Sequence, residues 1–449
     1  MIQQVETPQE TPRNFLKDSV IVKISIIAVL ILVLLIPSAW IQSLIDERAA
    51  TQDAVTATVS NQWSGSQLIQ GPVLMVPYKK VINTTDEKNK PIVREEIDYA
   101  YLLPENLQVK ANVKTEKFHR GIVDLTGYTS KIDVQGSFNK ANINKLGVDA
   151  NQIIYDKVRL VFSLSDLKGL INNPSVNIQN QTYQPEPTYG DNMPFEKGLQ
   201  VTFTLPKSDS LMFNYTLDLK GSNELSFLNT GKITNVELNS DWASPGFTGR
   251  YLPDNKTITP KGFSAKWHML YYNRPFPQQW LNADSLLTSK KATDEAVFGV
   301  KLQLPVDQYR ETTRTTKYST LIILLTFVSL FLTELIRRQN IHVFNYILIG
   351  AAMIVYYTLL LSFSEHLGFD IAYLIASVST IALISWFTSS LLHNRGVAAL
   401  FAAILGIFYG FIYVLVQLEE LSLMIGSIAL FIIVALLMYF SRKISWDKH

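Results

Sequence analysis

ISIIAVLILVLLIPSAWIQSLI, residues 24–45, decides the class of fold. It runs without a charge between Lys23 and Asp46, and a hydrocarbon core about 30 Å thick is crossed by roughly 20 apolar helical residues. The stretch therefore reads as a transmembrane helix. Lys17 and Lys23 precede it, as basic residues precede a secretory signal. The apolar run is longer than a signal core, however, and no small-x-small site follows residues 37–40, so the reading is an uncleaved anchor.

Outward from this anchor the chain divides between two solvents. Five more stretches meet the same length criterion, near residues 318–336, 343–363, 371–392, 397–418 and 421–440. Residues 318–441 carry eight charged side chains: Glu334, Arg337, Arg338, Glu365, Asp370, Arg395, Glu419 and Glu420. Residues 46–317 carry 60 of the chain's 78 charges, 31 basic and 29 acidic. The whole-chain values (449 residues, net charge +2, 17% charged, mean hydropathy +0.13) average over these two parts. The expectation is a membrane protein with six transmembrane α-helices, at residues 24–45 and within 318–441, and a large aqueous domain at 46–317. Short tails at 1–23 and 442–449 complete it. Balanced charge in the aqueous domain argues against nucleic acid as a partner. The absence of cysteine excludes disulfide staples, thiolate metal sites and a cysteine nucleophile.

Lysine and arginine in short flanks set orientation. Arg13, Lys17 and Lys23 precede the first span, Arg337 and Arg338 follow the second, Arg395 follows the fourth, and Arg442, Lys443 and Lys448 follow the sixth. Loops 364–370 and 417–420 hold acids and neither Lys nor Arg. Both termini are then cytoplasmic and residues 46–317 lie outside. Arg310, Arg314 and Lys317 flank the outer end of the second span, within a long translocated domain where the charge rule is weak. They share a helical face by spacing and are candidates for lipid phosphates, at about 1 kcal/mol per charge near an anionic surface.

In the aqueous domain, residues 46–63 have helical character and continue the first span. From Leu68 the period becomes two. Val201, Phe203 and Leu205 alternate with Thr202 and Thr204; Phe213, Tyr215, Leu217 and Leu219 alternate with polar residues; so do Ala265, Trp267, Met269 and Tyr271. Such half-buried strands, punctuated by Gly and Pro, predict a β-rich, antiparallel sandwich-like domain.

Chemistry is sparse. His119 and His268 are the domain's two histidines, far apart and outside any metal-ligand motif. Gly262-Phe263-Ser264-Ala265-Lys266 lacks the final glycine of a nucleophile elbow and sits beside a strand. No phosphate loop or dinucleotide fingerprint is present, so no cofactor, metal or catalytic residue is expected. Residues 67–78 and 240–253 stand out by composition. In the second, Trp242, Phe247, Arg250 and Tyr251 read either as an exposed patch that grips a partner or as a buried loop between sheets. At the outer membrane face, Glu365, His366 and Asp370 adjoin one loop, and Glu419 and Glu420 another. If the loops meet, they form a carboxylate–imidazole cluster able to bind a cation or titrate between about pH 5 and 7; otherwise they are solvated acids marking the translocated side. Glu334 is expected to pair with Arg337 or Arg338.

Specific runs resemble one known family. They include Gly71-Pro72-Val73-Leu74 with Pro77-Tyr78, Trp242 with Pro245 and Phe247, and Gly262 to Trp267. Gly299-Val300-Lys301-Leu302, Pro305 to Tyr309, and Arg314 to Tyr318 follow, then Ser364 to Phe369 with Ala372-Tyr373, Tyr409-Gly410 and Gln417-Leu418-Glu419. The chain resembles the CreD family of bacterial inner membrane proteins from Lys17 to Asp447. It departs mildly where His342-Val343-Phe344-Asn345-Tyr346 replaces a His-Pro-Ile-Gln-Tyr-like run, and where Glu420 replaces Asp. The resemblance implies a multi-pass protein of the bacterial inner membrane with residues 46–317 periplasmic. It also implies a role in cell envelope integrity, linked to the Cre two-component system and to β-lactam and envelope stress, without enzymatic activity. Membrane lipids and a periplasmic or inner-membrane protein are the implied partners. The alternatives are a transporter or lipid-handling protein whose C-terminal helices line a path, and a periplasmic enzyme acting on cell-wall or lipid material.

Overall fold

The computed structural model describes residues 20–85, 91–120, 123–188, 193–282, 286–302, 308–337, 341–418 and 421–441. They group into two compact units. Asp53–Pro305 form a β-rich unit, and the described parts of Met1–Gln52 and Val306–His449 form a helical one. Helix α1 (Val20–Trp63) is continuous over 44 residues, so residues 46–63 do extend the first span.

The β-rich unit is built of two sheets. One has nine strands, ordered β13 (Gly246–Gly249), β17 (Val297–Lys301), β11 (Glu224–Leu228), β1 (Gln67–Thr85), β5 (Val158–Leu164), β9 (Leu199–Phe203) and β8 (Glu186–Pro187). Strand β2 (Pro91–Leu102) also pairs with β1, and β16 (Gln279–Leu281) with β2. The other sheet has eight strands, ordered β14 (Asn255–Thr259), β15 (Gly262–Leu270), β12 (Ile233–Ser240), β3 (Asn106–Arg120), β4 (Val123–Asn139), β10 (Ser210–Ser222), β6 (Val176–Ile178) and β7 (Gln181–Tyr183). Short helices α2 (Ala141–Asn144) and α3 (Lys290–Asp294) interrupt the strands.

Period-two patterning produces the core between the sheets. Leu211, Phe213, Tyr215, Leu217 and Leu219 are buried along β10, and Phe263, Ala265, Trp267 and Met269 along β15. They join Leu74, Val76, Leu160 and Phe162 of the other sheet in one apolar cluster. Two features correct the expected antiparallel sandwich. Strand β1 pairs with β11 in parallel, Gln67 opposite Leu225, and β3 pairs with β12 in parallel, Asn106 opposite Ile233. Alternation of side chains is the same in both pairings, so the pattern does not distinguish them. Residues 67–78, one of the two unusual stretches, are the start of central strand β1. Val73 and Met75 face a second apolar cluster with Tyr101, Phe276 and Trp280. With both faces covered, the strand reads as a continuous apolar run. Gly71, at φ +93°, carries the register shift between Gln70 and Val73; a Cβ there would lie 3.1 Å from the Val161 carbonyl.

The helical unit adds α4 (Gln308–Lys317), α5 (Ser319–Arg337), α6 (Val343–Leu367), α7 (Phe369–Leu392), α8 (Arg395–Gln417) and α9 (Ser422–Ser441). Among the described residues four helices, α1, α6, α7 and α8, are long and apolar enough to cross a membrane. A fifth candidate is α4 with α5, bent by 42° at their junction. Within α9 the described residues give a shorter apolar stretch, Met424–Ala435. The described residues thus carry four or five candidate spans; the sequence predicts six. Gly368, at φ +81°, makes the tight turn between α6 and α7. The Asn394 side chain caps α8 by accepting from Gly396 N at 2.9 Å and Val397 N at 3.3 Å.

Candidate functional site

The turn at Gly368 sets Glu365, in the last turn of α6, beside Asp370, in the first turn of α7. An acid in the first turn is favoured by the helix dipole. Neither carboxylate is left to solvent alone. Tyr309 of α4 donates its hydroxyl to Glu365 Oε1 at 2.9 Å. Tyr413 and Gln417 of α8 donate to Asp370 Oδ1 at 2.9 and 3.0 Å. Arg314 of α4 donates to the Val416 carbonyl at 3.2 Å, at the C-terminal end of α8. One end of the bundle is therefore a polar ring that ties α4 to α6 and α8, and α8 to α7.

This ring differs from the expected cluster. His366 is exposed and has no part in these hydrogen bonds. Glu419 and Glu420 lie outside the described residues. Among the described residues no three His, Asp or Glu side chains are grouped to hold a metal ion. The basic trio is split as well: Arg310 and Lys317 are exposed, while Arg314 turns toward α8. Sequence reasoning missed Tyr309, Tyr413 and Gln417, because hydroxyls and amides in apolar helices carry no spacing motif.

At the opposite end of α5, Glu334 is only 5% exposed. It accepts from Lys23 of α1, from the Tyr346 hydroxyl at 2.9 Å and from Ile341 N at 3.1 Å. Its ion pair among the described residues is with Lys23; the expected partners, the Arg337 side chain and Arg338, lie outside the described residues. Lys23 and Glu334 are 311 residues apart in sequence, beyond the reach of local pattern.

In the β-rich unit, the candidate aromatic patch is turned inward. Trp242 is buried, and Phe247 and Tyr251 pack against the main core. Phe247 meets Phe263 and Trp267 edge-on at 5.9 and 6.0 Å. Tyr251 donates its hydroxyl to the Glu295 carbonyl at 3.2 Å, and only Arg250 of the four is exposed. Ser264 lies within β15, opposite Asn239 and Thr257, which is no setting for a nucleophile elbow. His268 is exposed, with Nδ1 2.7 Å from Asn235 Oδ1; the His119 side chain lies outside the described residues. An open groove of about 770 Å³ crosses the eight-stranded sheet, lined by Asn112, Lys114, Lys131, Asn172, Asp218 and Asp241.

Burial also shapes the titration of this unit. Arg274, 7% exposed, donates to the Thr230 carbonyl and to Gln278 Oε1, and stacks 5.1 Å over Phe276. Gln278 in turn donates to the Leu103 and Pro104 carbonyls, so the guanidinium clips three loops together. Burial pulls its pKa well below the usual guanidinium range, to about 10. Burial raises Tyr78, Tyr101, Tyr128, Tyr215 and Tyr251 above the ordinary 10.0, with Asp98 adding to the first two. A raised tyrosine contributes stability that is intact below the unfolded value and lost as pH climbs past it. Arg274 acts oppositely, gaining stability as pH rises above about 10, but it is one group against five. The melting temperature of the full chain, followed by circular dichroism, is expected to fall as pH is raised through about 10; a flat profile to pH ~11 would contradict the burial of these hydroxyls.

Two comparisons with known proteins bear on the chain. A family model described as inner membrane protein CreD matches residues 19–447. The inner membrane protein CreD of Escherichia coli (strain K12) is 29% identical over 423 residues, covering 93% of this chain and 91% of that protein.

Proposed function

Since the chain belongs to the CreD family of inner membrane proteins, we propose that it supports cell envelope integrity as a non-enzymatic, multi-pass protein, in the setting of the Cre two-component system and of β-lactam and envelope stress. In this proposal both termini are cytoplasmic and residues 46–317 are periplasmic. The β-rich unit binds an envelope component or a periplasmic or inner-membrane protein, and lipids surround the helices. The observation that carries the reading is the polar ring at the end of the bundle. Helix α4 follows β17 in the chain, and its Tyr309 and Arg314 hold α6 and α8 through Glu365 and the Val416 carbonyl. A state of the outer domain has a short covalent route to α4, and α4 has hydrogen bonds through which to bias the bundle.

Each of these hydrogen bonds is worth about 1 kcal/mol net, so removing three leaves a folded protein with a loosened ring. The triple variant Tyr309→Phe, Glu365→Gln, Asp370→Ala, expressed at wild-type level in a strain lacking the native gene, is expected to restore little resistance to β-lactam and detergent stress. Full complementation by this variant would sink the proposal.

A further inference from the structure

Strands β12, β3, β4 and β10 bury every second side chain in the core, so the alternate side chains stand together in rows on the outer face of the eight-stranded sheet. One row runs from His268 through Asn235, Gln108, Gln135, Asn214 and Asn177 to Thr182, each opposite the next in register. Its members hold one another. Gln135 Nε2 donates to Gln108 Oε1 at 2.6 Å, Asn177 Nδ2 to Asn214 Oδ1 at 3.0 Å and Thr182 to Asn177 Oδ1 at 2.6 Å, and His268 Nδ1 lies 2.7 Å from Asn235 Oδ1.

The next two rows carry the charges. Lys266, Glu237, Lys110 and Asp133 follow one another in the first, and Asn239, Asn112, Lys131 and Asp218 in the second. Three acids thus meet three bases, with Lys266 3.4 Å from Glu237. None of the side chains named in the three rows is apolar, whereas apolar atoms make up more than half of an ordinary protein surface. Two grooves adjoin on this face. The larger, about 770 Å³, is lined by Asn112, Lys131 and Asn239, and by Asn172, which donates to Asp218 at 3.0 Å. The smaller, about 270 Å³, is lined by Gln108, Lys110, Asn235 and Glu237. Lys110 and Asn112 are two residues apart on β3, so the grooves follow one another along the sheet.

We propose that this face binds a neutral chain of N-acetylated amino sugars, the glycan strand of the cell wall. The assignment deepens the proposal that the outer unit binds an envelope component, and rests on it. Sugar hydroxyls and acetamido groups each offer donors and acceptors, and asparagine and glutamine side chains offer both in return. An anionic ligand is disfavoured, because each base in the rows is matched by an acid. An apolar peptide has no apolar row to bury against. The amide row crosses seven of the eight strands, roughly 29 Å at about 4.8 Å per strand, which suits a linear polymer rather than a single sugar. Amides that already bond one another are ordered before the ligand arrives, which lowers the cost of binding. Ile171, 50% exposed, also lines the larger groove and offers a contact for the C–H face of a sugar ring.

The test uses the full chain in lipid nanodiscs, titrated by calorimetry with a soluble, neutral N-acetylglucosamine oligomer. Saturable binding is expected, weaker by about tenfold or more in the triple variant Gln108→Ala, Asn112→Ala, Asn239→Ala, whose melting temperature is expected to stay that of wild type. No saturable binding by the wild-type chain overturns the proposal, and so does equal binding by a triple variant that melts like wild type. A glucose oligomer, which lacks acetamido groups, gives a second readout that needs no variant: it is expected to bind wild type more weakly, and equal or tighter binding overturns the proposal. Since both readouts are binding by purified protein, their failure is distinguishable from failure of the envelope role, which complementation reports.

Discussion

Lys23→Ala is expected to destabilise the helical unit by about 3–5 kcal/mol, the usual result of leaving a buried charge without its partner. Glu334 is 5% exposed and draws its three donors from α1, α6 and the backbone ahead of α6. When the ammonium is lost, the Tyr346 hydroxyl and Ile341 N remain, but the carboxylate keeps its charge in an apolar surrounding. The double variant Lys23→Met, Glu334→Met removes both charges and is expected to recover much of the loss, as buried pairs replaced by apolar side chains commonly do. Thermal unfolding in detergent, compared for the single and double variants, checks the pair. A single variant that melts within about 1 kcal/mol of wild type, the range of an exposed ion pair, would mean that Lys23 does not serve Glu334.

Trp267→Ala is the matching experiment in the β-rich unit, with an expected cost of about 3–5 kcal/mol. The indole is 2% exposed and lies 5.5 Å from Phe298 and 6.0 Å from Phe247, ring to ring. Its Nε1 donates to the Tyr251 carbonyl at 3.2 Å. Truncation opens a cavity that strands in two sheets cannot collapse to fill. Trp267→Phe keeps most of the packing and forfeits the hydrogen bond, so a loss nearer 1 kcal/mol is expected. Loss of sheet signal on heating, read by circular dichroism, distinguishes the two. Near-equal melting of Trp267→Ala and wild type would return Phe247 and its neighbours to the surface role that composition alone leaves open.

Period-two alternation makes β10 and β15 legible in the sequence, because one face of each strand is buried and the other is not. The same rule is silent on partners. Neither the parallel pairing of Gln67 with Leu225 nor that of Asn106 with Ile233 leaves a mark on a local window. Central strand β1 is harder still, since apolar packing on both faces erases its alternation. In the helical unit, apolar length finds the membrane helices, and the acids at Glu365 and Asp370 read as the ends of spans. What a local window hides is which side chains hold them. Tyr309, Tyr413 and Gln417 look like ordinary helix residues until the fold brings their donors to the carboxylates.

The parallel pairing of β1 and β11 bears on how the protein is made. Strand β1 leaves the ribosome early, yet one of its edges waits for residues Leu225 to Phe227, and β11 in turn waits for β17, which ends at Lys301. Pairings this distant in sequence are slow, and they leave strand edges open to misassociation meanwhile. The β-rich unit therefore cannot close during synthesis of its first half. Its nine-stranded sheet is completed only as the chain reaches the segment that leads into α4, so folding of the sheet and insertion of the later helices fall in the same interval of biogenesis.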